Sequence, residues 1–458
     1  MVRVVTFICL LTAAGSCIPE ESPKGLPGHA EKPDVLTVFL TGNELGALRP
    51  CGCAGGQLGG LDRRLAIFKS VPASKRLIVD TGSLVEGTSE QDQIKFEIIV
   101  QAFRLLGYDL VNLTEEDIEL ARNRGLLDGL CLLLNVISPQ GLTDPSGPAG
   151  LAKRSFTKRF LLEGKAVGVT VAAFDAQSDG IEQVRELFLP DPGLEAVNIL
   201  IMNRCDDDII GTLKQTGSVD CLVCPSESDE AMLISDPTER PLVISLGRYG
   251  KYVGKLEIRS ADPGRAHDKL HLSFAPVDVN ENLPLEGSLV ALYKDYQQLV
   301  KDADLLEKQP RWPLPDGLEY RGSKSCKPCH EYEYEKWSSK AHAHAYATLE
   351  RDRSQYDPEC VVCHVVGGDY ESGFVSEAKS SEDLKNVGCE NCHGPGSEHI
   401  ESWGVTATRG PKSKCVDCHT PENSVNYAGN EELYLKKIIH WREPNSADNV
   451  KEKGQGKD

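Results

Sequence analysis

Cys326-Lys-Pro-Cys329-His330, Cys360-Val-Val-Cys363-His364, Cys389-Glu-Asn-Cys392-His393 and Cys415-Val-Asp-Cys418-His419 carry one five-residue pattern four times in a single stretch of chain. Cys-x-x-Cys-His is the attachment signature of a c-type haem. Two thiols separated by two residues reach the two vinyl groups of one porphyrin and form thioethers. The adjacent histidine then lies beneath the iron and supplies its proximal nitrogen. Structural zinc sites pair two such cysteine groups without a fixed trailing histidine, so zinc or disulfide elements account poorly for the repeat. Four covalently bound c-type haems, each with its iron, are therefore expected on Cys326, Cys329, Cys360, Cys363, Cys389, Cys392, Cys415 and Cys418, with His330, His364, His393 and His419 as proximal ligands.

Composition bounds the rest. The 458 residues allow two or three domains at about 150 residues each. Forty per cent hydrophobic and 26 per cent charged residues is ordinary globular composition. The formal charge of −19, to which haem propionates would add, argues against nucleic acid as a partner and for redox proteins, such as other cytochromes, or cationic oxidants. The N-terminus has Arg3, a short apolar run over residues 4–14 and then Ala14-Gly15-Ser16-Cys17, the pattern of an export signal. The run is shorter than the roughly 20 residues of a spanning helix. The small residues before Cys17 resemble a bacterial lipobox, with Ala14 where Leu is usual. Cleavage there would leave Cys17 acylated and the chain anchored to a membrane by lipid; plain secretion with Cys17 incidental is the alternative. Either way residues 1–17 read as a signal peptide and residues 18–34 as a flexible tether. The chain is expected in the periplasm or at the cell surface, as an outer-membrane lipoprotein on the first reading.

Residues 35–284 alternate apolar strand-like runs with helix-sized segments. Strands are expected at 35–40, 77–82, 109–113, 130–135, 166–173, 197–202, 219–223 and 242–246. Helices are expected from 65–70 and over 94–106, the latter stopped by Gly107. This is an α/β layered pattern. The order of pieces over residues 35–258 resembles the calcineurin-like metallophosphoesterases of the 5′-nucleotidase type. The resemblance rests on Thr41-Gly42-Asn43-Glu44-Leu45-Gly46, Val79-Asp80-Thr81-Gly82-Ser83, Leu106-Gly107-Tyr108-Asp109 with Val111-Asn112-Leu113, residues 220–223, and Gly247-Arg248-Tyr249-Gly250-Lys251-Tyr252-Val253-Gly254. It implies a phosphoesterase-like layered sheet, but the metal ligands do not carry over. Asn43 and Leu45 stand in the family's Asp-x-His, Gly82-Ser83 in its Gly-Asp, and Thr114-Glu115-Glu116-Asp117 in its Gly-Asn-His-Asp/Glu. The lone downstream His falls near Arg204, and Pro225-Ser226-Glu227-Ser228 replaces Gly-His-x-His. Two-metal hydrolysis needs His and carboxylate ligands holding ions about 4 Å apart. Phosphoesterase activity is therefore expected to be absent.

Cysteines stand near the vacated places: Cys51 and Cys53 after the first strand, Cys221 and Cys224 at a later one. In the fold that the resemblance implies, these loops face one site, so the two pairs are expected to be bonded or within thiol-exchange reach. A disulfide suits an exported protein; a redox-active dithiol or a soft-metal site facing the haems is the sharper reading. Cys131 lies in an apolar run and reads as core, and Cys205 has no assigned partner. The glycine-rich run 55–60 lacks the ending of a phosphate-binding loop and reads as a turn.

Residues 285–317 form a connector. Leu289, Leu292, Tyr296, Leu299, Ala303 and Leu306 predict an amphipathic helix over 286–308, which Pro310, Pro313 and Pro315 end. Residues 318–443 resemble the tetrahaem cytochrome c-554 family. The four signatures carry this, together with Trp337, His342-Ala-His-Ala-Tyr346, the Val387-Gly388 before and Gly394-Pro395-Gly396 after the third, and His399. The resemblance implies a mainly helical domain of stacked haem pairs used for electron transfer. It implies distal ligands as well: His399 for the haem on His330, His342 for that on His393, and His440 for that on His419. In the family the second haem lacks a sixth protein ligand, so the iron at His364 is the candidate open position, unless His344 or an N-terminal histidine closes it. His344 otherwise reads as a surface histidine, as do His29, His267 and His271. Residues 444–458 read as a disordered tail.

The chain is thus expected to carry electrons between redox partners. The rival is an oxidoreductase acting on a small nitrogen or sulfur species, at the open haem or at Cys51 and Cys53. A third reading makes the α/β domain a docking module that builds chains of haems by self-association.

Overall fold

The computed structural model describes residues 34–51, 55–141, 153–177, 180–189, 191–261, 270–408 and 415–442. The expected signal peptide with Cys17, nearly all of the expected tether, Cys53, His29, His267 and the expected C-terminal tail lie outside the described residues.

Among the described residues twelve strands form the α/β part: β1 (Leu36–Thr41), β2 (Arg76–Asp80), β3 (Leu110–Asn112), β4 (Asn135–Ile137), β5 (Ser155–Leu162), β6 (Lys165–Phe174), β7 (Glu195–Met202), β8 (Cys221–Cys224), β9 (Ala231–Leu233), β10 (Leu242–Leu246), β11 (Tyr252–Ser260) and β12 (Leu270–Asp278). They make two six-stranded sheets, ordered β12-β11-β1-β2-β3-β4 and β5-β6-β7-β8-β10-β9. In the first, β1 to β4 run parallel and β11 and β12 antiparallel. β1 is buried along its whole length, as a parallel strand covered on both faces must be. Its Leu36, Val38 and Leu40 meet Val167, Val169 and Val171 of β6 between the sheets, while Phe39 faces the helices Glu90–Leu106 and Gly287–Asp302. The outer face of the second sheet packs on the helix Asp207–Thr216. The result is four layers with helices outside and sheets inside.

The expected helix over 94–106 begins earlier, at Glu90. Ser89 and Asp92 form a reciprocal capping box there, and Gly107 ends the helix in the left-handed region at φ 75°. The expected strand at 130–135 is instead the helix Leu127–Leu133, with β4 starting only at Asn135. A short apolar run does not distinguish the two. The connector helix is present over Gly287–Asp302 and buries Leu289, Leu292 and Tyr296, but Asp304 at φ 50° turns the chain before Leu305–Lys308. β5, β9, β11 and β12 have no counterpart among the expected strands, although Leu256 and Ile258 alternate with Lys255, Glu257 and Arg259 along β11.

From Val35 on the chain coheres as one compact unit, so the C-terminal part lies against the α/β part. That C-terminal part is built of short helices. Its cluster of buried hydrophobics consists of Tyr346, Leu349, Val361, Val365, Val366, Phe374 and Leu384. This is a small core for about 120 residues, as expected where prosthetic groups supply the apolar bulk. Among the described residues no helix is long and apolar enough to cross a membrane.

The α/β part is pinned at the ends of β1 and β2 by a buried polar cluster. Arg64 donates from both terminal nitrogens to Glu44, at 2.5 and 2.6 Å, and also to Tyr108 and to the carbonyl of Gly250. Both charged side chains are fully buried. Gly250 has to be glycine, because a Cβ would lie 1.9 Å from Arg64 Nη2. Thr41 donates to Asp80, whose pKa is pushed up to about 8 by burial first and then by the charge of Glu44. Removing one partner of such a pair strands the other, so Arg64→Met should cost about 3–5 kcal/mol in denaturant unfolding. Asp80 holds a proton in the folded state that the unfolded chain releases near 3.8. Its contribution is therefore fully present at low pH and declines as pH rises towards about 8. Asp80→Asn should flatten stability against pH in that window.

Candidate haem-binding site

The residues between the signature cysteines fix the local geometry. In the third signature Glu390 is buried, and its carboxylate accepts from the backbone N–H groups of Arg321, Gly322 and Gly396. Asn391 donates to Val365 O and accepts from Gly388 N, and Ser323 Oγ accepts from Cys389 N. Glu390 and Ser323 thus tie the first signature to the third, while Asn391 ties the third to the segment following the second. Trp337 donates to Val387 O. In the second signature Asp357 caps the helix Pro358–Val361. Its carboxylate also takes the Gln91 amide and the Tyr296 hydroxyl, each at 2.8 Å, while Lys95 reaches Glu359. Glu390, Asn391, Ser323, Asp357, Gln91 and Tyr296 were not legible as site residues, because each acts through partners far away in sequence.

Three pairs of imidazoles face one another. His330 and His399 have ring centroids 6.0 Å apart, His342 and His419 6.3 Å, and His393 and His440 6.2 Å. Two imidazoles sharing one metal through Nε2, at about 2 Å from each nitrogen, have centroids about 6 Å apart. The residues therefore fit one iron in each pair. His399 faces His330 as the resemblance implies. The other two pairs differ from the expectation: His342 faces His419 rather than His393, and His440 faces His393 rather than His419. The segment after the fourth signature folds back through the helix Glu431–Ile438 and so delivers His440 to the third.

The free Nδ1 atoms are held. His364 uses Ala345 O at 2.7 Å, His399 uses Thr406 O at 2.7 Å, and His419 uses Ser424 Oγ at 2.8 Å. Such bonds set the tautomer that leaves Nε2 for a metal. Burial holds His342, His364, His393 and His419 below the ordinary imidazole value, so they are neutral donors at pH 7. His344 is exposed, beside Trp337 and Ser323, and His271 is exposed on β12.

The signature thiols show how the four sites succeed one another. Cys326 lies beside Cys389, so the first site adjoins the third. Cys392 lies near Cys415, so the third adjoins the fourth. Cys363 lies beside Cys418, so the fourth adjoins the second. At the second site, burial pushes Cys360 up, with added effect from Asp357 and from Cys51. Cys51 therefore comes from the α/β part to the second signature.

The expected bonding of Cys51 or Cys53 to Cys221 or Cys224 fails at Cys224, and Cys53 lies outside the described residues. Cys224 is disulfide-bonded to Cys205. Cys221 and Cys224 are three residues apart on a strand and so point to opposite faces; Cys221 sits between the sheets and Cys224 in the outer layer. Cys131 packs partly against the core, as expected. The positions that the phosphoesterase resemblance aligns with metal ligands do converge, but they bond to each other. Asn43 donates to Ser226 Oγ and Gly247 O, Ser226 shares a bond with Ser245, and Asp117 accepts from Ser83 N, Leu84 N and Thr114 N. Among the described residues no group of three or more His, Cys, Asp or Glu could hold a metal ion.

Comparison with known proteins adds to this geometry. Residues 325–394 match the family model described as cytochrome c554 and c-prime. Cytochrome c-554 of Nitrosomonas europaea is 34% identical over 117 residues, which cover 21% of this chain and 49% of the relative. The chain thus spans about half the length of that curated relative. Among solved structures, a 5′-nucleotidase precursor from Thermus thermophilus is similar at 17% identity and TM-score 0.44, covering 60% of each chain. A calcineurin-like phosphoesterase from Bacillus subtilis is similar at 14% identity and TM-score 0.43, covering 58% of this chain and 97% of that one. The C-terminal part is therefore cytochrome c554-like, and the match implies covalently bound c-type haem. Because Asn43, Ser83 and Ser226 stand where metal-binding side chains would be needed, nucleotide hydrolysis with added manganese or zinc should stay at background. Hydrolysis that Glu116→Gln or Asp117→Asn abolishes would contradict this.

Proposed function

We propose that this chain is an exported tetrahaem c-type cytochrome that carries electrons between redox proteins, such as other cytochromes, in the periplasm or at the cell surface. Cys17 provides its lipid anchor in the outer membrane. The observation that carries the reading is the set of three imidazole pairs at single-metal spacing, each including the histidine of a haem signature. A haem iron held by two histidines cycles between ferric and ferrous without exchanging ligands, which suits a wire. The protein contributes the fixed Nε2 donors, the Nδ1 partners and the close succession of the four sites. The α/β part is a non-hydrolytic scaffold against which the second and fourth sites rest. Haem counting tests the reading: the full-length holoprotein should contain four covalent haems, and Cys389→Ala with Cys392→Ala should contain three.

A second reading concerns the iron at His364. The three histidines offered as distal ligands face the other signatures, and His344 lies exposed beside Trp337. We infer that the second haem is five-coordinate and is the place for a small ligand such as nitric oxide or hydroxylamine. Electron paramagnetic resonance of the oxidised protein should show one high-spin ferric haem per chain, lost on adding such a ligand. Four low-spin haems, none of them reacting, would leave a pure electron carrier.

A further inference from the structure

The loop after β1 leaves the α/β part and reaches the fourth signature. Gln57 is buried, and its Nε2 donates to the carbonyls of both Glu422 and Asn423 at 3.1 Å. Beside it, a Cβ on the exposed Gly56 would come within 3.9 Å of the Val425 side chain. The residue held between these contacts is Ser424. It is buried, its N–H donates to Thr420 O at 2.8 Å, and its Oγ lies 2.8 Å from Nδ1 of His419. A continuous set of contacts thus runs from the α/β part to the imidazole of the fourth signature.

We propose that Gln57 is a positioning residue for the fourth haem: it clamps the 422–424 turn so that Ser424 Oγ accepts the Nδ1 proton of His419. The inference rests on the tetrahaem reading and goes beyond it, because it gives the α/β part a role in the redox chemistry. With Nε2 committed to iron, Nδ1 must carry the proton and donate. An acceptor at Nδ1 makes the imidazole a stronger donor and favours the ferric state. For His364 and His399 that acceptor is a backbone carbonyl. For His419 it is a hydroxyl that rotates, so its aim depends on the turn that Gln57 holds. The step affected is a one-electron reduction, Fe(III) plus an electron from the redox partner giving Fe(II). No bond is made or broken, and the proton stays on Nδ1.

The test uses the full-length holoprotein, titrated potentiometrically with all four haems followed by their spectra. Ser424→Ala and Gln57→Met should shift the reduction equilibrium of one and the same haem several-fold towards the ferrous form, leaving the other three unchanged. Ser424→Thr, which keeps the hydroxyl, should retain the wild-type equilibrium. No shift in either variant, a shift in Ser424→Ala alone, or a uniform movement of all four haems would overturn the proposal. Haem content on the same samples separates the two readings. Four haems per chain without a shift overturns this inference and leaves the tetrahaem reading standing, whereas fewer than four in the unaltered protein overturns both.

Discussion

The Asp357 carboxylate is where the two halves of the molecule depend on each other. It caps the helix that carries the second signature, and it accepts from Gln91 and Tyr296 on two helices of the α/β part. A buried carboxylate is tolerated only when donors surround it, and each donor here is itself buried, with Gln91 also donating to the Tyr296 hydroxyl. The arrangement therefore cannot be loosened at one end alone. Lys95 to Glu359 repeats the connection one turn along. A C-terminal part with so few buried hydrophobics of its own leans on this contact together with the Glu390, Ser323 and Asn391 bonds between its signatures.

The α/β part answers a related problem in the opposite way. A fold whose strands end at converging loops concentrates backbone N–H groups and polar side chains at one place. In this chain direct bonds fill that place. Asp117 spends its carboxylate on three backbone N–H groups, and Asn43 bridges to Ser226 and Gly247. Burial raises Asp117 to about 6, against its several hydrogen bonds, so its ionised form is held chiefly by backbone donors. Glu44 with Arg64 supplies the charge balance deeper in. The loops are thereby tied to one another by direct bonds, and the residues after β1 reach outwards to the fourth signature.

What the sequence made legible was local. A signature of five residues carries its own chemistry, and long apolar runs give their strands, as at β1, β6 and β7. The failures were failures of distance. The distal pairings of His342 and His440 depend on where the helix Glu431–Ile438 returns, and no spacing encodes that. The loop that Cys224 ends suggests a meeting with Cys51 or Cys53, yet strand alternation aims it at Cys205. Asn43, Ser226 and Ser245 could be named as substitutions but not as a bonded set. Gln57 reads as part of a glycine-rich turn; its burial against residues more than 360 positions away is visible only in three dimensions.

The succession of sites gives the molecule a direction. Contacts between signature cysteines run from the first site to the third, then to the fourth and then to the second. Among the described residues the α/β part meets the fourth site through Gln57 and the second through Gln91, Lys95 and Tyr296. On the tetrahaem reading, one end of the wire is left for a redox partner and the other is enclosed by protein. Enclosure lowers the local dielectric and strengthens every nearby charge and hydrogen bond. The two haems whose potentials the fold can adjust most are therefore those farthest from the first signature. An electron taken up at the first site would reach them last, beside the domain that adjusts them.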